Sequence, residues 1–140
     1  MKERNERKVA VIDDERHVLF MLEEMFEDNG FSVDAFEKPE EFLANVAGNM
    51  YEVIILDYNM PSMTGEEVVA QLLEKEVMRT TPVILISGFL EDTIELPPRE
   101  EGRYLAIEYM KKPAKLQWMI ETVHNLAALR HWFLRAQQGE

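Results

Sequence analysis

The chain has 140 residues, 46% of them hydrophobic and 30% charged, with a formal net charge of −12 and no cysteine. That length carries one domain with a core of its own and not two, and the mix is that of a folded chain rather than a disordered one. The charge argues against direct binding to nucleic acid, which needs clustered Lys and Arg to release counterions; lack of cysteine excludes a disulfide framework, a zinc-thiolate site and a thiol nucleophile.

No stretch approaches the ~18 apolar residues of a membrane span. The basic start is followed by too short an apolar run for a signal peptide. A cytoplasmic protein without a membrane partner is therefore expected. The nine Met residues read as core filler.

In chain order, residues 1–7 read as a disordered charged tail. Lys8–Ile12 is a short continuous apolar run, the pattern of a buried parallel strand. Glu15–Asp28 carries Val18, Leu19, Met21, Leu22, Met25 and Phe26 at helical spacing, with Gly30 as a stop. Phe31–Phe36 alternates as a strand does, and Pro39 opens a helix to about Ala47. Glu52–Leu56 is a second buried strand, Asn59–Gly65 a turn-rich loop, and Glu66–Met78 a helix with Val68, Val69, Leu72 and Leu73 inward. Pro82–Ile86 and Leu105–Met110 read as further strands, and a long helix runs from about Ala114 to Gln137.

Apolar strands alternating with amphipathic helices predict a doubly wound α/β domain: a five-stranded parallel sheet with helices on both faces, five in number. In such sheets ligands sit outside the carboxyl ends of the strands. The residues at those ends are Asp13 and Asp14, Asp57, Ser87 and Lys112. Each has an ordinary reading alone: a helix N-cap, a strand-end carboxylate, a turn hydroxyl, a solvated lysine. Independent ordinary roles would not all fall on one edge.

As a set they make chemical sense. Clustered carboxylates invite Mg²⁺, which takes one or two carboxylates plus phosphate oxygens and keeps several waters. The metal would offset the repulsion between an attacking carboxylate and an anionic phosphoryl donor. An acyl phosphate on Asp57 would then face the metal, the Ser87 hydroxyl and the Lys112 ammonium. Phosphoryl transfer asks for such positioning and charge stabilisation more than for covalent help.

Asp13-Asp14 after the first strand, Asp57-Tyr58-Asn59-Met60-Pro61-Ser62-Met63-Thr64-Gly65, Ser87-Gly88 and Lys112-Pro113 together resemble the bacterial two-component response-regulator receivers, of the chemotaxis-regulator kind. The resemblance covers about residues 8–128, with 129–140 as a C-terminal helical extension. Each motif is weak alone; in this order and at these separations they are highly specific. The resemblance implies a flavodoxin-like fold and a histidine kinase or phosphotransfer protein as donor. It implies Mg²⁺ held by Asp13 or Asp14, by Asp57 and by the backbone carbonyl of Asn59, with Asp14 the more direct ligand. It implies a cis bond before Pro113 that aims Lys112, rather than Lys111, into the site. It also implies a switch in which Ser87 moves toward the phosphoryl group and Tyr109 turns inward. Such a chain is a signalling phosphoacceptor rather than an enzyme acting on added substrates.

The stretch Phe89–Arg103 departs from that pattern, since receivers carry a regular fourth helix there. A helix over Glu91–Glu95 is compatible with the residues, but Pro97-Pro98 disfavours its continuation. Residues 96–103 are therefore expected to be non-helical and more mobile than the rest of the chain. Phe89 is placed to shield the phosphoryl group from water. A phosphatase using an aspartate nucleophile would want a second Asp where Asn59 stands. A nucleotide or flavin binder would want glycine-rich loops that are missing. The remaining alternative is a pseudo-receiver, a phosphorylation-independent interaction module.

On the last helix, Leu116, Ile120, Val123 and Ala127 share one side, assigned to docking on the sheet. Met119, Thr122, Leu126, Leu129, Phe133 and Ala136 recur on a second, bordered by Trp118 and Trp132. Exposed apolar rows mark interfaces. This predicts a homodimer, or a joint to a fused output domain, through Leu126, Leu129, Trp132 and Phe133.

Overall fold

The computed structural model describes residues 7–48, 50–89 and 92–139. Five strands, β1 (Lys8–Ile12), β2 (Ser32–Phe36), β3 (Val53–Asp57), β4 (Val83–Ser87) and β5 (Ile107–Lys111), form one parallel sheet in the order β2-β1-β3-β4-β5. The helices are α1 (Arg16–Asp28), α2 (Pro39–Asn45), α3 (Gly65–Glu74) and α4 (Leu116–Gln137). The sheet is doubly wound, and the order reverses next to β1, so a crevice opens between β1 and β3 at their carboxyl ends.

Period-two alternation sorts the strand residues onto two faces. Val9, Val11, Val53, Ile55, Ile84 and Ile86 face α1 and α4. Ala10, Ile12, Ile54, Leu56, Val83 and Leu85 face α2 and α3. Both β3 and β4 are buried along their whole length, which is why their sequences are continuous apolar runs rather than alternating ones.

Several boundaries and two assignments differ from the sequence reading. The third predicted helix stops at Glu74; Glu76 then takes a left-handed φ of 63°, and Val77–Arg79 is a separate 3-10 turn. Four α-helices, not five, lie among the described residues. Between β4 and β5, Asp92–Pro98 has no regular structure. The helix that the residues Glu91–Glu95 would permit is absent over 92–95, and Glu91 itself lies outside the described residues. Residues 99–101 form a short 3-10 turn, so the expectation of a wholly non-helical 96–103 needs correcting. The two prolines block an α-helix, but Pro98 leads into the turn, where its missing N–H costs nothing. Of the predicted N-terminal tail, Arg7 is the one described residue. It is packed: its guanidinium carbon lies 4.5 Å from the Phe31 ring centroid.

The buried face of α4 differs from the expected one. Met119, Ile120, Val123, Leu126 and Ala127 are all buried as one stripe against the sheet. Met119 and Leu126, assigned to a second face, are therefore core residues. Leu116, assigned to docking, is 38% exposed at the helix's first turn. Arg130 is buried too and reaches Glu52, just before β3, with 3.5 Å between Nη1 and Oε2; His131 Nε2 lies 3.1 Å from the other oxygen. Leu129 and Trp132 are exposed and Phe133 is half-buried.

Candidate functional site

The register sets the site. Ile12 pairs with Leu56, Asp57 with Ile86, and Ser87 with Lys111. Asp13, Asp57, Ser87 and Lys112 therefore come off the carboxyl edge at nearly one level. Asp13 extends the ladder by donating its N–H to the Phe36 carbonyl (3.1 Å).

Ligand oxygens of Asp13, Asp14 and Asp57 all lie within 4.8 Å of one another. Asp13 and Asp57 are buried, at 5% and 2% exposure. Burial pushes the Asp13 carboxyl up to about 6, with the charges of Asp57 and Asp14 adding to it against a hydrogen bond from the Glu15 N–H. That bond, 2.9 Å to Oδ1, is a local turn on the N–H of Glu15; Glu15 is itself the N-cap of α1 and no side chain caps the helix, so the capping reading of Asp13 is corrected. Burial likewise raises Asp57, while Lys112 holds it back. Burial works against the charge on Lys112, but its hydrogen bond and attraction to Asp57 win and raise its pKa, so it stays an ammonium. Three carboxylates with oxygens this close form a hard all-oxygen donor set, the kind Mg²⁺ takes, and the residues fit that ion.

On the other side of Asp57, Lys112 Nζ sits 2.9 Å from Oδ1. The exposed neighbour Lys111 is not the residue that makes this contact. The Lys112–Pro113 bond is cis. Asn59 is exposed in the following loop, and its amide N–H points to Asp57 Oδ1 at 3.3 Å. Its carbonyl is the group the sequence reading nominates for the metal.

The loop is anchored by Gly65 and Thr64. A Cβ on Gly65 would lie 2.8 Å from the Tyr58 Cα and 2.9 Å from Leu85 Cδ1, so only glycine lets α3 start this close to the Asp57 strand. Its N–H donates to the Tyr58 carbonyl at 2.7 Å. Thr64 and Glu67 form a reciprocal capping box that fixes the first turn of α3.

Ser87 is buried, but its hydroxyl bonds to the Asp92 carboxylate and sits 3.1 Å from the Phe89 N–H, which donates to it. Tyr109 is 42% exposed on β5, and its hydroxyl accepts the Ile94 N–H at 3.3 Å. Phe89 is 63% exposed. Asp92 and the Glu52–Arg130 pair did not emerge from the sequence: neither partner of Arg130 or Ser87 is set by a periodicity, and Glu52 is 78 residues from Arg130.

A parallel five-stranded sheet with an acidic pocket, a hydroxyl and a lysine at its carboxyl edge defines a class of signalling domain. The model of the response regulator receiver domain matches residues 9–124, and the chain belongs to that family. It is 31% identical over 113 residues to the transcriptional regulatory protein ResD of Bacillus subtilis, covering 81% of this chain and 45% of that one. It is 30% identical over 122 residues to the response regulator protein TodT of Pseudomonas putida, covering 87% and 51%. The chain thus spans about half the length of these relatives. Among solved structures it resembles the receiver domain of Francisella response regulator 1452 (TM-score 0.70, 26% identity, 87% of this chain and 97% of that one). It also resembles the response regulator TrrA of Thermotoga maritima in complex with Mg²⁺-BeF (TM-score 0.65, 25% identity, 86% and 98%). No helix among the described residues is long and apolar enough to cross a membrane.

Proposed function

We propose that the chain is a phosphoacceptor and that Asp57 takes the phosphoryl group. The observation that carries this reading is the convergence of three carboxylates within 4.8 Å with the Lys112 ammonium 2.9 Å from Asp57. The TrrA complex with Mg²⁺-BeF, a relative of the same fold, supports it.

In this account a carboxylate oxygen of Asp57 attacks phosphorus on a phosphohistidine of a histidine kinase or phosphotransfer protein. The P–N bond breaks, the P–O bond to Asp57 forms, and imidazole leaves with its electron pair and takes up a proton from solvent. Lys112 and Asn59 both donate to Oδ1, which leaves Oδ2 for the attack. Asp13, Asp14, Asp57 and the Asn59 carbonyl would hold Mg²⁺, which when bound would offset the repulsion between carboxylate and phosphoryl oxygens. Lys112 offers its ammonium to the new phosphoryl oxygens, and Ser87 and Tyr109 read the change.

We assign residues 8–128 to this receiver and 129–140 to a helical extension. Trp132 and Leu129, exposed on its flank, face a second copy of the chain or a fused output module. Leu126 takes no part, since it is in the core.

Incubation with acetyl phosphate and Mg²⁺, followed by intact mass, tests the central step. The wild type should gain one phosphoryl group and Asp57→Asn none, with both folded. The irregular Asp92–Pro98 segment favours a second reading, a pseudo-receiver that only binds partners. Failure of the wild type to label with acetyl phosphate or to bind beryllofluoride would select it.

A further inference from the structure

The segment that replaces a fourth helix makes two polar contacts with the candidate switch. The Ser87 hydroxyl has two acceptors here, the Asp92 carboxylate and the Phe89 carbonyl at 3.2 Å, of which the carboxylate is the charged one, and the Ile94 N–H, two residues past Asp92, donates to the Tyr109 hydroxyl. Asp92 is itself held in a turn by its N–H on the Phe89 carbonyl (3.2 Å). A cavity of about 170 Å³ lies between them, lined by Leu85, Ser87, Asp92, Thr93, Tyr109 and Met110.

A serine hydroxyl has one proton to give. While Ser87 gives it to Asp92, it cannot give it to a phosphoryl oxygen on Asp57. A hydrogen bond to a charged acceptor is worth on the order of ten- to a hundredfold in an equilibrium, so this competition is large enough to matter. Asp92 also adds a negative charge beside a site that must accept an anion. Phosphorylation therefore has to break the Ser87–Asp92 bond, and the short chain between Asp92 and Ile94 couples that event to the contact holding Tyr109 outward. Resting on the phosphoacceptor reading of Asp57, we propose that Asp92 is a positioning residue of an inhibitory latch: the Asp92–Ile94 segment holds Ser87 and Tyr109 in their unphosphorylated places. A ligand that recruits Ser87 must bind more weakly while the latch is closed, by the closing equilibrium.

The test is a titration with beryllofluoride and Mg²⁺, followed by backbone amide NMR shifts, on wild type, Asp92→Ala, Asp92→Asn, Ser87→Ala and the Ser87→Ala/Asp92→Ala double variant. Asp92→Ala should bind about tenfold more tightly than wild type, or about 1.4 kcal/mol, and Asp92→Asn should fall between. The Tyr109 amide should shift part of the way to its bound position in Asp92→Ala before any ligand is added. The gain should vanish in the Ser87→Ala background. Equal or weaker binding by Asp92→Ala overturns the latch. So does an undiminished gain without Ser87, because charge alone would then explain it. If wild type and Asp92→Ala both fail to bind, the phosphoacceptor reading falls and the latch with it; if wild type binds and Asp92 is neutral, only the latch falls.

Discussion

Asp13 shows what the site costs. Its carboxyl, pushed up to about 6 by burial and by Asp57 and Asp14, lies well above the ordinary carboxylate range of about 4. Between about pH 4 and 6 the folded chain thus binds more protons than the unfolded one, and stability falls as pH rises through that window. Above about 6 the Asp13 carboxylate is charged and a divalent cation would relieve its repulsion with its neighbours; below, protons compete with the cation at Asp13. Mg²⁺ should therefore raise Tm clearly at pH 7.5 and hardly at pH 5. Equal Mg²⁺ shifts at both pH values would show that Asp13 does not belong to the metal set. At this scale the sequence was informative for Asp13, Asp14, Asp57 and Lys112, because each ends an apolar run and the sheet brings those ends together. Asp92 was illegible for the opposite reason: it sits in a segment with no period, and its partner lies across an irregular turn.

At the scale of elements, the loop from Asp57 to α3 depends on Gly65. Gly65→Ala sets a Cβ against the Tyr58 backbone, which cannot swing aside as a flexible side chain would. It should destabilise by about 1–3 kcal/mol and slow phosphorylation by acetyl phosphate; a wild-type urea midpoint and labelling rate would contradict this. The α4 helix depends on Arg130. Its guanidinium is buried beside Glu52, and Arg130→Ala would leave that carboxylate with His131 alone. The loss should be about 3 kcal/mol by urea denaturation, and a change under about 1 kcal/mol would show the pair to be incidental. The inner strands β1, β3 and β4 were legible because a buried parallel strand is an unbroken apolar run, whereas the edge strands β2 and β5 are only partly buried and carry polar residues. The faces of α4 were not legible, because they were anchored on Leu116. Centred on Val123 instead, Met119, Ile120, Leu126, Ala127 and Arg130 fall on one broad stripe at three- and four-residue spacing. A basic residue on that stripe hides it from a reading by hydrophobicity, since its acidic partner is far away in sequence.

For the whole molecule, the last helix leaves Trp132 at 66% and Leu129 at 36% exposure in a chain that spans about half of its relatives' length. An exposed pair of large apolar residues on one helix flank favours association. Sedimentation should show a dimer for wild type and a monomer for Leu129→Glu/Trp132→Glu, with unchanged fold; a monomeric wild type at high concentration would remove the second copy from the account. The central claim, that this molecule exists to carry a phosphoryl group on one buried carboxylate, is tested most directly by mapping the label. After acetyl phosphate treatment, peptide mass spectrometry should find the phosphoryl group on Asp57 alone, and chelation of Mg²⁺ should abolish it. A label on any other residue, or one undiminished by chelation, would contradict the account.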